Sequence, residues 1–204
     1  MITLGIDEAG RGPLIGPMII AGLSFKKDNL VYLKELNVRD SKKVSPYKRE
    51  RLYPLILKLC EHYEIIKVTP KEIDESINTG LKITGLEANY IAKIIDNIQS
   101  DVVYIDSPIN NPEKFAKIIE EKIKSKPRIF CEIKADEKYI EVSAASIVAK
   151  VIRDREIKEL HKKYGYFGSG YPSDQRTIEF IKKHKEIINS EDFRKTWATL
   201  RKFI

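Results

Sequence analysis

Cysteine and histidine are the scarcest chemistry-bearing residues in this chain. There are two cysteines, Cys60 and Cys131, and three histidines, His62, His161 and His184, in 204 residues. Neither type falls at metal-ligand spacing, which argues against a zinc centre and makes buried free thiols the better reading of the cysteines. No apolar run approaches the roughly 20 residues that a membrane span needs. The N-terminus enters a strand directly, without the basic and apolar regions of a secretory signal, so the expected location is cytoplasmic. Internal repeats, low-complexity stretches and long linkers are also missing, which argues against a solenoid or a freely swinging tail. What is left is an ordinary globular composition, 42% hydrophobic, with a formal charge of +7. Such a chain can bury one good core, or one core with a smaller appended lobe, and its basic balance suits a polyanion partner.

The most informative stretch is GIDEAGRGPLIG, Gly5 to Gly16. Ile2 to Ile6 reads as a buried strand that ends on Asp7 and Glu8 and is followed by a glycine-rich turn. Adjacent strand residues point to opposite faces, so the two acids converge only if the chain bends at once, as Gly10 and Gly12 permit. Arg11 adds a cation and Pro13 stiffens the exit. A Walker loop fails here, because Gly10 is followed by Arg11 and Gly12 instead of a lysine and a hydroxyl. The dinucleotide fingerprint lacks its third glycine, and two carboxylates would repel a pyrophosphate. A metal site is the simpler reading, with a solvated acidic turn as its rival.

Met18 to Phe25 reads as a second strand, antiparallel to the first, followed by a short helix over Leu30 to Leu36 and a charged loop, Arg39 to Lys43. Ser45 and Pro46 start a helix to about His62, and Tyr63 to Val68 is a third strand. Thr69 and Pro70 open another helix, and Thr84 with Glu87 reads as the capping box of a helix to about Ile98. Val102 to Ile105 is a fourth strand, ending on Asp106. Asn111 and Pro112 start a helix to about Lys124, and Ile129 to Ile133 is a fifth strand, with Asp136 just beyond it. From Val142 the chain reads as helical. The small residues of SAASIVAK let the first of these helices lie close to a sheet. Gly168 to Asp174 is a turn that projects Tyr171, and Ser173 and Ser190 cap two closing helices.

The expected fold is α/β, a mixed five-stranded sheet flanked by helices, with a core over residues 1–141 and a helical extension over 142–204 packed on it. Right-handed crossovers make strands one, four and five parallel, so Asp7, Asp106 and Asp136 meet at one edge with Glu8 as a fourth carboxylate. Four such acids cannot all stay ionised without protons or cations between them. Oxygen ligands without His or Cys favour Mg²⁺ or Mn²⁺. In two-metal sites the ions stand roughly 3.5–4 Å apart, one activating a water and one stabilising the leaving oxygen of a phosphodiester. A basic chain with such a site is a nuclease candidate.

The motifs DEAGRG from Asp7, DSKK from Asp40, YID ending at Asp106, KAD ending at Asp136, SAASIVAK from Ser143, RD at Arg153 and GSGYPSD from Gly168 cover the chain nearly end to end. In this order and combination they resemble ribonuclease HII, the type 2 ribonuclease H family, in a form closer to archaeal and eukaryotic members than to bacterial ones. The resemblance implies a ribonuclease H-like sheet and a two-metal endoribonuclease. Such an enzyme hydrolyses the RNA strand of RNA/DNA hybrids and incises duplex DNA 5′ of single embedded ribonucleotides, leaving a 3′-hydroxyl and a 5′-phosphate.

The resemblance also assigns roles. Asp7, Glu8, Asp106 and Asp136 match the metal-binding carboxylates, with Asp7 bridging both ions. Gly10, Arg11 and Gly12 match the loop whose backbone grips the 2′-hydroxyl, the group that separates RNA from DNA. Tyr171 matches the tyrosine that stacks on the following deoxyribose, and residues 142–204 complete the substrate site. Lys42, Lys43, Lys150 and Arg153 are phosphate contacts or solvated charges. Ile133 departs from the histidine that many members place before KAD, which touches a contact behind the ligands but no ligand. Leu200, Phe203 and Ile204 mimic the apolar end of a sliding-clamp-binding peptide, although Trp197 holds the usual glutamine position; the same residues read equally as the inner face of the last helix. A monomer is expected. Two rivals remain, a non-catalytic nucleic-acid-binding module on this fold and a hybrid-preferring enzyme of the ribonuclease HIII kind. The intact carboxylates oppose the first, and the absence of an N-terminal substrate-binding domain opposes the second.

Overall fold

The computed structural model describes residues 1–38 and 44–203; the DSKK motif with Lys42 and Lys43, and also Ile204, lie outside the described residues. Strand β1 (Ile2–Ala9) pairs antiparallel with β2 (Met18–Lys26), and β2 pairs antiparallel with β3 (His62–Val68). On its other side β1 pairs parallel with β4 (Val102–Asp106), and β4 with β5 (Arg128–Glu132). The order β3-β2-β1-β4-β5 is the expected mixed sheet, with β1 at its centre.

Period-two alternation sorts the strand side chains onto two faces. Leu4, Ile6, Met18, Ile20, Val103 and Ile105 share a core with helices α3 (Pro70–Asn78), α4 (Lys82–Asn97) and α5 (Pro112–Glu120). Ile19, Ala21, Leu23 and Phe25 share another with α1 (Leu30–Glu35), α2 (Pro46–Leu59) and α7 (Ile140–Tyr164). A third cluster joins Leu14 and Ile15, just past the glycine-rich turn, to the end of α7, helix α8 (Gln175–Lys183), Phe193 and Leu200.

The first turn of α7, just ahead of the small-residue run, lies close on the sheet, and Gly5 is the reason. A Cβ there would stand 2.2 Å from the carbonyl carbon of Glu141, so only a bare backbone in mid-strand admits the helix. On the opposite face a Cβ at Gly22 would meet the Ile94 Cγ2 at 2.3 Å.

Several local readings shift. Ser45 and Asn111 cap α2 and α5 by accepting from Lys48 N–H and Lys114 N–H, as their positions suggest. The capping box, however, is Thr69 with Glu72 at the start of α3. Thr84 and Glu87 lie inside α4, where both side chains bind Arg11 instead of the helix end. Asp174, not Ser173, caps α8. Among the described residues after Ser190 there is no closing α-helix, only a 3₁₀ turn at Leu200–Lys202; the Lys195 and Thr196 N–H groups, which a helix would bond internally, are held by the Asp74 carboxylate.

Cys60 and Cys131 are free and half-buried, and burial pushes both thiols up to about 12. Among the described residues no helix is long and apolar enough to cross a membrane.

The two glycine contacts differ in what would have to move. Gly5→Ala meets helix backbone and is expected to cost more than about 3 kcal/mol, whereas Gly22→Ala meets a methyl of one side chain and should cost roughly 1–3 kcal/mol. Urea denaturation of the two variants measures the order, and equal losses would contradict it.

Candidate active site

Strand β1 stays extended through both acids, with Asp7 opposite Ala21 and Glu8 opposite Ile20. The chain therefore does not bend between them. Asp7 keeps to the α7 face and Glu8 to the α4 face, and the bend comes afterwards, at Gly10 with φ +83°. They meet because a cavity of about 490 Å³ opens off this end of the sheet and both acids line it. Asp106 closes β4 and lines the same space. Asp136 does too, but from a short helix, α6 (Ala135–Lys138), and not from a strand end. The first N–H of α6, from Ala135, donates to Asp106 Oδ1 at 2.7 Å and ties the two acidic segments together.

Charge is crowded here. Burial pushes the Asp7 carboxyl up to about 7; Asp106 and Asp136 add to this, while the Lys150 ammonium and the Ser146 hydroxyl oppose it. Burial also holds Glu8 well above the usual carboxylate range, reinforced by Asp7, Glu87 and Asp106 against Arg11. Lys150 lies one turn beyond Ser146 on α7 and donates to its hydroxyl. The lysine expected at phosphate is thus placed as a counter-charge beside Asp7.

The donor chemistry fits a hard divalent cation. Four side chains offering only oxygen line one cavity, and burial with neighbouring negative charge holds back the ionised forms of Asp7 and Glu8. Among the described residues no three Asp, Glu, His or Cys side chains are arranged to hold an ion.

The glycine loop forms another wall. The Arg11 side chain turns back from the cavity, with Nε 2.8 Å from Glu87 Oε1 and Nη2 donating to Thr84 Oγ1 at 3.1 Å. Arg11 lines the cavity alongside Gly10 and exposed Gly12. The Tyr171 ring runs beside Gly12, 3.4 Å from where a Cβ would stand. Arg153 supports that ring, its guanidinium 5.2 Å from the ring centroid and its Nη2 donating to Ser169 O at 2.5 Å. Leu14 N–H bonds Gly170 O at 2.7 Å, which couples the tyrosine turn to the glycine loop.

Other residues were not singled out by sequence. Arg49 of α2 lines the cavity and pairs with Asp154 at 3.1 Å; its signal was a basic first turn. Glu87, 1% exposed, stands behind Glu8, and burial pushes it up to about 7 against the pull of Arg11 and Arg194. Its signal, an acid among apolar residues of α4, was read as a cap. Arg194 and Trp197, which touch the glycine loop from behind, have no local signature. Ile133 is 45% exposed, so the family departure falls on the surface.

A family model described as Ribonuclease HII matches residues 4–200. The chain is 42% identical to a ribonuclease HII of Pyrococcus horikoshii, over 99% of this chain and 92% of that one. It is similar in structure to the ribonuclease H2 of the same organism, with TM-score 0.91 and 42% identity, covering 100% of this chain and 97% of that one. The ribonuclease HII of Archaeoglobus fulgidus, solved as a complex with PCNA, gives TM-score 0.88 and 40% identity over 97% and 96% of the two chains.

The raised carboxyl of Asp7 has a sign that can be checked. Its folded value of about 7 lies above the ordinary 3.8, so the folded state is unpenalised below the ordinary value and loses stability as pH rises toward and through the folded one. Asp7→Asn is therefore expected to stabilise the chelator-treated protein at pH 8 by on the order of 2 kcal/mol, a melting-temperature rise of roughly 4–8 °C, with the gain vanishing toward pH 4. A variant less stable than wild type at pH 8 would contradict the charge crowding.

Proposed function

The chain belongs to the ribonuclease HII family and is a metal-dependent ribonuclease H acting on RNA/DNA hybrids, and from that premise we propose that it also incises duplex DNA on the 5′ side of single embedded ribonucleotides. The products would be a 3′-hydroxyl and a 5′-phosphate. The observation that carries this reading is that four carboxylates, a bare glycine loop and Tyr171 open onto one cavity. Two divalent cations, Mg²⁺ or Mn²⁺, held by Asp7, Glu8, Asp106 and Asp136 would supply an activated water and charge neutralisation at the leaving oxygen.

The remaining steps belong to the chain's own residues. The backbone at Gly10, Arg11 and Gly12 reads the 2′-hydroxyl, because bare glycines allow a ribose to approach main-chain groups closely. Tyr171, braced by Arg153, packs against the following deoxyribose, so the site senses the junction from RNA to DNA. Lys150 keeps part of the carboxylate charge balanced, and Arg49 adds positive potential along the phosphate path. Lys42 and Lys43 are assigned to phosphate by their motif alone.

A sliding clamp is the proposed protein partner, supported by the complex of the Archaeoglobus relative. Leu200 is fully buried and Phe203 half-buried against the third core cluster. Docking through this tail therefore requires Leu200 and Phe203 to lift away from that cluster.

A duplex carrying one ribonucleotide, incubated with Mg²⁺ or Mn²⁺, should receive a single nick, and an all-DNA duplex none. Asp7→Asn should lower the nicking rate by about 10³-fold or more, equivalent to about 4 kcal/mol of barrier. Unchanged cutting by that variant would reject the catalytic assignment. Tyr171→Ala should lower kcat/KM at the junction roughly tenfold, the loss of one aromatic packing contact. Deleting Phe203 and Ile204 should abolish capture by an immobilised clamp while leaving nicking intact; retained capture would remove the tail from the interface.

A further inference from the structure

The end of the chain returns to grip the glycine loop from behind. Arg194 is fully buried, and its guanidinium donates to Gly10 O at 2.5 Å, Arg11 O at 2.6 Å, and Gly16 O at 3.0 and 3.1 Å. Trp197 covers it with the ring centroid 5.3 Å from the guanidinium carbon, and donates from Nε1 to Gly12 O at 3.1 Å. Asp74 fixes the supporting segment by accepting from Lys195 N–H and Thr196 N–H. From the other side, Glu87 and Thr84 hold the Arg11 side chain.

These bonds dictate which way the loop's donors point. In a trans peptide the N–H opposes the C=O, and this chain has no cis peptide among the described residues. Carbonyls of Gly10 and Arg11 aimed at Arg194 therefore turn the N–H groups of Arg11 and Gly12 the opposite way, toward the cavity the loop lines. A guanidinium is suited to this task, since its planar fork can hold several carbonyls at fixed angles. It is also a demanding choice. Burial pulls Arg194 down to about 9, with Arg153 adding to the fall and Tyr171, Asp74 and Glu87 opposing it only through space.

We infer that Arg194, with Trp197 over it, is a positioning residue for sugar discrimination: it aims the Arg11 and Gly12 N–H groups at the 2′-hydroxyl. The inference rests on the proposed reading of that hydroxyl by the glycine loop. Arg194 touches no reacting atom, so its effect should depend on the 2′ substituent more than on the bond being cut.

The test compares wild type and Arg194→Lys on two duplexes, one with a single ribonucleotide and one with a 2′-fluoro nucleotide in its place. Wild type should lose about 100-fold or more in kcat/KM on going from hydroxyl to fluorine, as sites built to bond a hydroxyl do when it is absent. In Arg194→Lys that penalty should shrink by about tenfold, a non-additive cycle between residue and substrate group. Trp197→Phe, which keeps the ring and loses the bond to Gly12 O, should shrink it in the same direction by roughly threefold, and serves if the lysine variant does not fold. The Mg²⁺ concentration for half-maximal rate should not move in either variant. Equal losses on both duplexes would reduce Arg194 to a structural prop and overturn the inference alone. A wild type indifferent to fluorine would instead remove the reading of the 2′-hydroxyl, and this inference with it.

Discussion

The structure is organised around negative charge buried at the end of its central strand. A carboxylate leaving water costs several kcal/mol unless something compensates it, and here Asp7 and Glu8 are joined by Asp106 and Asp136 on the cavity wall and by Glu87 behind. Each neighbouring element answers part of that charge. Helix α7 brings Lys150 and Ser146 to Asp7, and the glycine loop sends Arg11 back to Glu87. The balance is incomplete, and the incompleteness is chemically useful, because hard cations and a polyanionic backbone can bind together only where acid and base alternate so closely.

Sterics make the compensation reachable. Lys150 could not stand beside Asp7 if α7 were held at an ordinary distance from the sheet, and Gly5 is what removes the obstacle. The same strand thus carries a missing side chain and, two residues on, the central carboxylate, both facing α7. Packing and chemistry share one face of β1, which is why a substitution at Gly5 would be felt in the site as well as in the core.

Much of this was legible in the sequence. Short apolar runs gave the strands within a residue or two, apart from β1, which runs three residues beyond its apolar stretch. Right-handed crossovers gave the parallel trio, and acids closing or following those strands gave the cavity wall. Asp136 was placed just past the fifth strand, as it is, but the short helix that carries it was not, since four residues leave too short a pattern to recognise. Thr84 and Glu87 have the spacing of a capping box, and nothing local shows that an arginine 76 residues away takes that carboxylate. Arg194 is less visible still. Its partners are backbone carbonyls up to 184 residues distant, and a carbonyl has no residue type to read.

The buried arginine also bears on why the chain closes irregularly instead of with a helix. An apolar side chain at position 194 would fill the space with no desolvation penalty, and exchanges of that kind are often neutral or stabilising in other proteins. Stability alone therefore does not favour a guanidinium there. A helix from Ser190 onward would satisfy the Lys195 and Thr196 N–H groups internally, removing them from Asp74 and swinging Arg194 off the loop carbonyls. The observed path gives up helical hydrogen bonds and accepts a buried charge, and both sacrifices serve the orientation of two peptide planes. Those planes border the cavity that the carboxylates line, and on the proposed reading the requirement they meet is selection of the sugar.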